Sequence, residues 1–215
     1  MAYPDYVEIF RSSVPEDFHR ATARGVVKIY KTAFTRSNKL PEEQARNLRP
    51  YLRWCLLDAE LFRIGSKLGM QPLAQKCDGG SFFVQLASGR VKLTASSVEN
   101  PSRPPRRAAF RETLARESVT WLFKGFEDAP SDDDYLYAIL IHAADPENPR
   151  LPWFANIRFP LPNCKKWATG KICLLDRFPT FRRSKSEFAE EQIEDQVLGQ
   201  LRDDAKKNSG KSESV

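Results

Sequence analysis

The sequence predicts an α+β fold: a mainly antiparallel sheet of five to six strands with helices packed on it, an N-terminal helical pair and a C-terminal helix. Apolar residues recur at helical spacing over residues 14–69, and the period changes to strand-like alternation from residue 70 onward. A helical pattern then returns between two groups of strands. A crossover through this helix allows a parallel strand pair in an otherwise antiparallel sheet.

The first predicted helix begins near Pro15, a residue that suits the first helical turn. Ser13 and Glu16 stand three residues apart, which is the spacing of a capping box. The side chains predicted to face the core keep the helical period and comprise Phe18, Thr22, Val26, Ile29, Tyr30 and Phe34. The sequence "RSNK", at 36–39, is expected to end this helix.

The second predicted helix runs from Pro41 to about Leu68, with Gly69 placed to end it and Pro50 expected to kink or divide it. Its predicted core-facing side is apolar and comprises Leu48, Leu52, Cys55, Ala59 and Phe62. Another side of the same helix is basic and comprises Arg46, Arg49, Arg53, Arg63 and Lys67. This basic side is either a solvated face with ion pairs along the helix or a surface that faces phosphate groups.

Strands follow from changes of period and from turn residues. The segments "SFFVQL" and "VKLT" alternate in polarity around the turn "ASGR", which predicts a β-hairpin over residues 81–94. The turn "CDGG" at 77–80 places an earlier strand at 70–77. The run "YLYAILIHA" at 135–143 is almost continuously apolar, as expected of a strand buried on both faces. Two further strands are predicted at "WFANIRF" and "KICLLDRF".

The stretch "ENPSRPPRRAAFRETLARES", residues 99–118, joins the hairpin to a third predicted helix over residues 107–126. Its prolines favour extended backbone, so a stiff connector already explains much of its composition. Its arginines are harder to explain, because cations are unfavourable at the N-terminus of a helix. An anionic partner is the second interpretation, with the candidate binding residues Arg103, Arg106, Arg107 and Arg111 beside Arg46, Arg49 and Arg53 of the preceding helix.

The net charge of +6 is unevenly distributed along the chain. Residues 184–215 carry five Lys/Arg and eight Asp/Glu, a net of −3, so residues 1–183 carry 29 Lys/Arg and 20 Asp/Glu, a net of +9. A basic body favours polyanions or acidic proteins as partners, although solubility alone also explains such a charge. We predict one α+β domain over 1–183 (helical over 14–69, sheet and helix over 70–183) and a C-terminal helix with a disordered tail over 184–215.

Several classes of protein are disfavoured. No apolar run is long enough to span a bilayer and the N-terminus lacks the pattern of a secretion signal, so a cytoplasmic protein is expected. The four cysteines have no C-x-x-C spacing and are expected to be reduced thiols. Phosphate-loop, dinucleotide-binding and zinc-protease motifs are missing from the sequence, and neither a metal nor a cofactor is predicted.

Catalytic candidates are few, and the sequence favours a protein that is not an enzyme. His142 ends a predicted strand three residues before Asp145, the arrangement of a general base and its orienting acid, although a structural histidine is the simpler interpretation. A metal-dependent nuclease needs acidic ligands and a lysine that converge. Glu60, Asp78 and Lys92 are the candidates for that role, in a pattern that is broken because Gln85 and Ala87 occupy the expected acid and lysine positions.

The run at residues 88–115 resembles a group of bacterial and prophage proteins that share a "GR-x-x-LT-x-S" hairpin, a proline-rich loop and an "R-x-A-x-FR-x-x-LA" helix. The resemblance rests on Gly89, Arg90, Leu93, Thr94 and Ser96 in the hairpin, on Pro101 in the loop, and on the run "RRAAFRETLA" at 106–115, which contains Arg107, Ala109, Phe110, Arg111, Leu114 and Ala115. The resemblance implies a setting near helix-turn-helix regulators in mobile or defence loci, and it implies no activity.

The leading expectation is a non-catalytic binding protein whose basic surface engages an acidic protein or nucleic acid in a bacterial regulatory, toxin–antitoxin or phage-defence context. One alternative is a divergent metal-dependent hydrolase or nuclease. Another is a structural subunit that docks, or oligomerises, through its C-terminal helix, since a helix with the few apolar residues of 186–206 needs a partner surface.

Overall fold

The computed structural model describes residues 5–77, 81–123 and 135–182, without the side chains of 119–123. The chain divides into two compact units, Met1–Pro179 and Thr180–Val215, and all of the described residues except 180–182 belong to the first. The predicted boundary at residue 184 and the predicted C-terminal helix lie outside the described residues. The elements are α1 (Tyr6–Ser13), α2 (Glu16–Ser37), α3 (Glu42–Lys67), β1 (Gln71–Lys76), β2 (Phe82–Ser88), β3 (Val91–Ser97), α4 (Ala109–Phe123), β4 (Leu136–Ala144), β5 (Pro152–Arg158), β6 (Ile172–Cys173), α5 (Leu174–Arg177) and a 3-10 turn (Pro179–Arg182).

The six strands form one sheet in sequence order, β1-β2-β3-β4-β5-β6. Neighbouring strands are antiparallel except β3 and β4, which are parallel because the chain crosses over through α4 between them. The predicted α+β fold with a mainly antiparallel sheet is therefore confirmed. Among the described helices, none has both the length and the apolar content needed to cross a bilayer.

Helices cover both faces of the sheet. On one face Leu86 of β2 lies against α3, where a Cβ added to Gly65 would meet the Leu86 side chain at 2.7 Å. On the other face Phe83, three residues earlier, stacks on Phe110 of α4 with ring centroids 3.8 Å apart. Successive side chains of a strand point to opposite faces, so residues an odd number of positions apart meet different helices. Leu114 of α4 packs on this second face in a cluster that includes the β4 side chains Tyr137, Ile139 and Ile141.

Three local predictions differ from the structure in different degrees: the cap of the first predicted helix was wrong, a division of the second predicted helix at Pro50 does not occur, and the last predicted strand is shorter than expected. Ser13 does not cap α2; it is the last residue of α1, a helix that the sequence reading missed and that Asp5 caps by accepting the N–H of Val7 and Glu8. Pro50 lies inside α3, which continues through it as one helix. The segment "KICLLDRF" forms only the two-residue strand β6 before the chain turns into α5.

The orientation of α3 is the largest departure from expectation. Its predicted core-facing side is the side that faces solvent: Cys55, Ala59 and Phe62 are exposed, and Leu48 and Leu52 are half-buried. The buried side comprises Ala45, Arg49, Arg53, Leu57, Asp58, Leu61, Ile64 and Gly65. α3 contacts both α2 and the sheet, so its buried side packs against two different parts of the fold. Polar side chains occupy part of that buried side.

The hairpin of β2 and β3 opens after a few residues. The strands pair at Ser88↔Val91, Ala87↔Lys92 and Leu86↔Leu93, next to the turn at Gly89, whose φ of 51° lies in the left-handed region. Beyond these pairs β2 continues its ladder with β1, while β3 continues with β4. The sheet is thus split along the line between β2 and β3.

Candidate functional site

The segment before α4 holds three of the predicted binding arginines on the surface: Arg103, Arg106 and Arg107 are all exposed. Arg103 Nη1 donates to Glu99 at 3.0 Å, and Arg107 Nε donates to Glu112 at 2.7 Å. Both pairs lie at the surface, where solvent and salt screen the attraction between the two charges, so each contributes little to stability. Pairs this weak open readily to a competing anion.

Glu112 is the acid around which the surface cations of this region gather. The hydrogen bond from Arg107 lowers the pKa of its carboxyl, and the charges of Arg107, Lys165 and Arg116 lower that pKa further. Lys165 belongs to the loop after β5, so two segments distant in sequence contribute to one surface. Arg106 stands beside Arg107 and is also exposed. We call Arg106, Arg107, Arg116 and Lys165 the basic surface.

Arg111, the fourth arginine predicted in this segment, turns away from the basic surface. Its Nη1 donates to the carbonyl of Arg106 at 2.9 Å, and its own carbonyl accepts a hydrogen bond from the Cys164 thiol at 3.4 Å. Burial lowers the pKa of its guanidinium group. Its buried Nε makes no hydrogen bond within the described structure. Arg111 therefore ties α4 to the preceding segment and to the loop after β5.

The predicted basic side of α3 does not form one open surface. Arg46 is exposed, whereas Arg49 and Arg53 are buried. Arg49 Nε donates to Ser37 Oγ at 3.0 Å, and its guanidinium carbon lies 4.7 Å from the centre of the Phe34 ring. A guanidinium group that lies over an aromatic ring is attracted by the ring's quadrupole, which helps to offset its burial.

Arg53 is held by residues far away in the sequence. Its Nη2 donates to the carbonyl of Pro149 at 2.8 Å, and its guanidinium carbon lies 4.6 Å from the centre of the Tyr30 ring. Burial is the main cause that lowers the pKa of Arg53. Arg49 and Arg53 thus connect α3 to α2 and to the β4–β5 loop, and neither is presented to a partner in this conformation.

His142 does not pair with Asp145. Its Nδ1 lies 2.7 Å from the hydroxyl of Tyr30, and burial lowers the pKa of its imidazole to about 4. Asp145 instead accepts the backbone N–H groups of Glu147 and Asn148 at 2.9 and 3.2 Å, because it caps the turn that follows β4. The histidine joins α2 to the sheet, and the general-base pair is not assembled.

Glu60 and Lys92, two of the three residues proposed for a metal-dependent hydrolase, lie on opposite sides of the sheet. Glu60 lies on the side of α3 that packs against α2, and it accepts a hydrogen bond from Arg63 Nε at 3.0 Å. Lys92 lies on the opposite face of the sheet, with Nζ 3.5 Å from the centre of the Tyr135 ring. Asp78 lies outside the described residues. Within the described ranges, no group of three or more His, Cys, Asp or Glu is arranged to hold a metal ion.

Asp58 is the polar residue of the interior that sequence reasoning missed. It faces the split between β2 and β3, where the backbone N–H of Val84 and the indole N–H of Trp54 donate to its carboxyl. Burial raises its pKa to about 7, and these hydrogen bonds and the charge of Arg111 offset only part of that rise. The signal in the sequence is an acid directly after the apolar residues "CLL" in the segment "CLLDAELF", although Glu60 in the same segment is not buried in this way. Asp58 is one buried carboxyl with two donors, which by itself makes no active site.

Comparison with known proteins yields no relative: no protein-family model matches the chain, no curated protein matches it, and no solved structure matches its fold. The functional interpretation therefore stands on the geometry of the chain's own residues.

Proposed function

We propose that this chain is a non-catalytic binding protein that engages an acidic protein segment through the basic surface of Arg106, Arg107, Arg116 and Lys165. The observation that carries the proposal is the gathering of Arg107, Arg116 and Lys165 around one carboxylate, Glu112, with the exposed Arg106 beside Arg107. A partner that presents several carboxylates fits a surface on which cations outnumber acids, and such complementarity accelerates association and selects the partner.

A protein partner is favoured over nucleic acid by the aromatic residue of the same region. Binding of single-stranded nucleic acid uses exposed rings beside cations, on which bases stack. Trp167 stands in the same loop as Lys165, but its ring is half-buried, packs against the core under α4 and has the Arg158 guanidinium carbon 5.3 Å from its centre. Because the Trp167 ring already packs against other residues of the chain, it does not present a face on which a base could stack. The cations of the basic surface therefore bind a partner through charge alone.

A bacterial regulatory, toxin–antitoxin or phage-defence setting belongs to the proposal as an expectation from the resemblance of residues 88–115. A binding role requires no assembled catalytic group. His142 and Glu60 are engaged in structural contacts, in agreement with this role.

The experiment measures binding of the full chain to fluorescent polyglutamate, to single-stranded DNA and to double-stranded DNA by anisotropy, at low and at physiological salt. The test variant is Arg106→Ala with Arg107→Ala. The matched control is Arg36→Ala with Lys39→Ala, which removes two exposed cations at the end of α2.

We expect polyglutamate to bind and salt to weaken that binding. The test variant should lose about tenfold in affinity because it lacks two of the four cations of the basic surface, while the control variant should keep its affinity. Equal losses in the two variants would mean that net charge alone attracts the probe, and would refute the assigned surface. If the chain binds DNA but not polyglutamate, and the binding weakens steeply with salt, the partner of the basic surface would be nucleic acid and not an acidic protein.

A further inference from the structure

The edge of β2 at the split carries backbone groups that are directed toward β3 but do not pair with it. The two-residue turn makes Ser88 and Val91 a hydrogen-bonded pair. In an antiparallel ladder such pairs recur at every second residue, so Leu86 and Leu93 form the next one. The following N–H of β2 in this alternation belongs to Val84. It points toward β3 at the position where the two strands have already separated.

The edge of β3 faces the same split from the other side. At one end of β3 the Arg90 carbonyl accepts the N–H of Leu136 at 2.7 Å. At the other end the Val98 N–H donates to the carbonyl of His142 at 3.0 Å. Even-numbered residues of β3 therefore bond to β4, and the backbone groups of Ala95 point the other way, toward β2. Two strand edges thus face each other across the split.

The split is dry at its closed end and wet at its open end. Leu86 and Leu93, at the closed end, have 0% of their surface exposed. At the open end Phe82 is 59% exposed and Ser97 is also exposed. Val84 is buried between these ends, so water that advances two residues from Phe82 along β2 reaches it.

Asp58 of α3 closes the split at Val84. The backbone N–H of Val84 and the indole N–H of Trp54 donate to its carboxyl. The carboxyl therefore takes the place of the β3 carbonyl that would continue the ladder. Asp58 is itself buried, so one side chain of α3 holds the edge of β2 away from solvent.

Arg111, on the helix that covers the other face of the sheet, is the cation that acts on this carboxyl. The hydroxyl of Tyr137 and the thiols of Cys77 and Cys164 act on Arg111 in turn. Arg111 favours the ionised carboxylate, but burial acts in the opposite sense and is the larger cause, so the pKa of Asp58 rises to about 7. In the closed split Asp58 is therefore protonated at mildly acidic pH.

We propose that Asp58 is a pH-sensitive clasp: its protonated carboxyl holds the split closed, and its ionisation admits water between β2 and β3 as far as the Leu86–Leu93 pair. Opening hydrates a carboxylate that burial disfavours. The proposal concerns the interior of the sheet and does not depend on the function assigned to the basic surface.

The direction of the pH effect follows from the two pKa values of Asp58. Below the ordinary pKa of 3.8 the carboxyl is protonated whether the split is open or closed, so pH has no effect there. Between 3.8 and about 7 the open form ionises and the closed form does not, and the equilibrium constant for opening rises up to about tenfold per pH unit. Above that range both forms are ionised and the constant no longer changes.

The measurement is backbone amide exchange in the full chain by NMR between pH 5 and 7.5, with each rate divided by the intrinsic rate of the same amide at that pH. The amide of Val84 reports the split. The amide of Ile139, a fully buried residue in the middle of β4, reports opening of the whole sheet. The chemical shift of the Asp58 carboxyl carbon, followed from pH 3 to 8.5, reports its titration directly.

We expect Val84 to be protected about tenfold less than Ile139 or weaker still, and its protection to fall about tenfold or more from pH 5 to 7. Asp58→Asn keeps an acceptor oxygen and removes the titrating group, so protection of Val84 should be constant over that range. Glu60→Gln changes the next acid of α3 and is the matched control. It should keep the wild-type pH dependence, because the pKa of Glu60 lies below its ordinary value of 4.5.

Three outcomes would overturn the proposal. Equal protection of Val84 and Ile139 would show that the sheet opens only as a whole. The same pH dependence in Asp58→Asn as in the wild type would assign the titration to another group. A carboxyl shift of Asp58 that titrates near 3.8 would show that the closed split does not hold the proton. The last measurement uses the wild type alone, so it decides the matter even if Asp58→Asn does not fold.

Discussion

The hydroxyl of Tyr30 lies 2.7 Å from Nδ1 of His142, and the two residues are separated by 112 positions in the sequence. The contact joins α2 to β4, and both residues are almost completely buried. Arg53 of α3 stacks on the same tyrosine, so three elements meet at this point. A histidine in such surroundings is neutral at neutral pH, because burial and the neighbouring positive charge both disfavour the imidazolium ion.

The first prediction concerns the stability of the fold in mild acid. The pKa of His142 falls from 6.5 in the unfolded chain to about 4 in the fold. The stability that depends on its neutral form is therefore fully present above pH 6.5 and is lost as the pH falls through 4. The loss reaches about 3 kcal/mol well below pH 4, from 1.36 kcal/mol per pH unit.

The measurement is urea unfolding of the wild type and of His142→Gln between pH 4 and 7.5. The variant is expected to be less stable at pH 7.5 and to have a smaller loss of stability on acidification. The slope of unfolding free energy against pH reports the titration of His142, whereas the loss of stability caused by the substitution itself is the same at every pH. Comparing the slopes of the two proteins therefore separates the two effects. Parallel curves for the two proteins would show that the pKa of His142 does not change on folding.

The second prediction concerns Asp58, whose effect has the opposite sign. Burial raises its pKa from 3.8 to about 7, so the stability linked to its protonated form is present at low pH and is lost as the pH rises through 7. Asp58→Asn keeps a similar shape without the charge. We expect the variant to gain stability over the wild type as the pH rises from 4 to 8, by up to about 4 kcal/mol from the same conversion.

Glu60→Gln is the matched control for Asp58→Asn. The hydrogen bond from Arg63 lowers the pKa of Glu60, so its contribution is present above its unfolded pKa of 4.5 and is lost as the pH falls. This variant should be less stable than the wild type at pH 8 and should approach it in acid. A gain in stability for Glu60→Gln at pH 8, or no pH-dependent gain for Asp58→Asn, would contradict the assignment. The readout is again the midpoint of urea unfolding.

The third prediction tests the contact between α3 and the sheet. A Cβ on Gly65 would meet the Leu86 side chain at 2.7 Å, closer than packed carbon atoms allow. Gly65→Ala should lower the free energy of unfolding by about 1–3 kcal/mol through overpacking, less about 1 kcal/mol that alanine contributes to the helix. Ser66→Ala, at the next, exposed position of α3, should be neutral or stabilising.

Thermal unfolding of Gly65→Ala together with Leu86→Val identifies the cause. Because valine lacks the atom that the new Cβ meets, the double variant should lose less than the sum of the two single variants. Additive losses would indicate that Gly65 matters for its backbone alone and not for the close approach of Leu86.

Periodicity and turn residues were sufficient for most elements of the fold. The apolar run of β4 predicted a strand covered on both faces, and every residue from Leu136 to Ala143 is buried. The left-handed glycine at the end of α3 and the β2–β3 turn were also read correctly. Such signals are local, because the hydrogen bonds and the φ values that they specify involve residues within a few positions of one another.

The orientation of α3 was not available from local pattern. An apolar row predicts a buried side only if nothing else competes for the core. Here the guanidinium groups of Arg49 and Arg53 lie over aromatic rings of α2, and Arg53 also donates a hydrogen bond to the carbonyl of Pro149. Both arginines are therefore buried with partners. The apolar row is left in solvent as a result.

The sequence by itself determined the order of helices and strands from α2 to β6, the positively charged body and the placement of three arginines before α4. Only the tertiary structure decided which arginines are surface and which are interior, that Glu112 collects the cations of two segments, and that Asp58 faces a split in the sheet. The physical reason is that burial and pKa depend on neighbours supplied by remote parts of the chain, as Tyr30 and His142 are for each other. Sequence period alone carries no record of those neighbours.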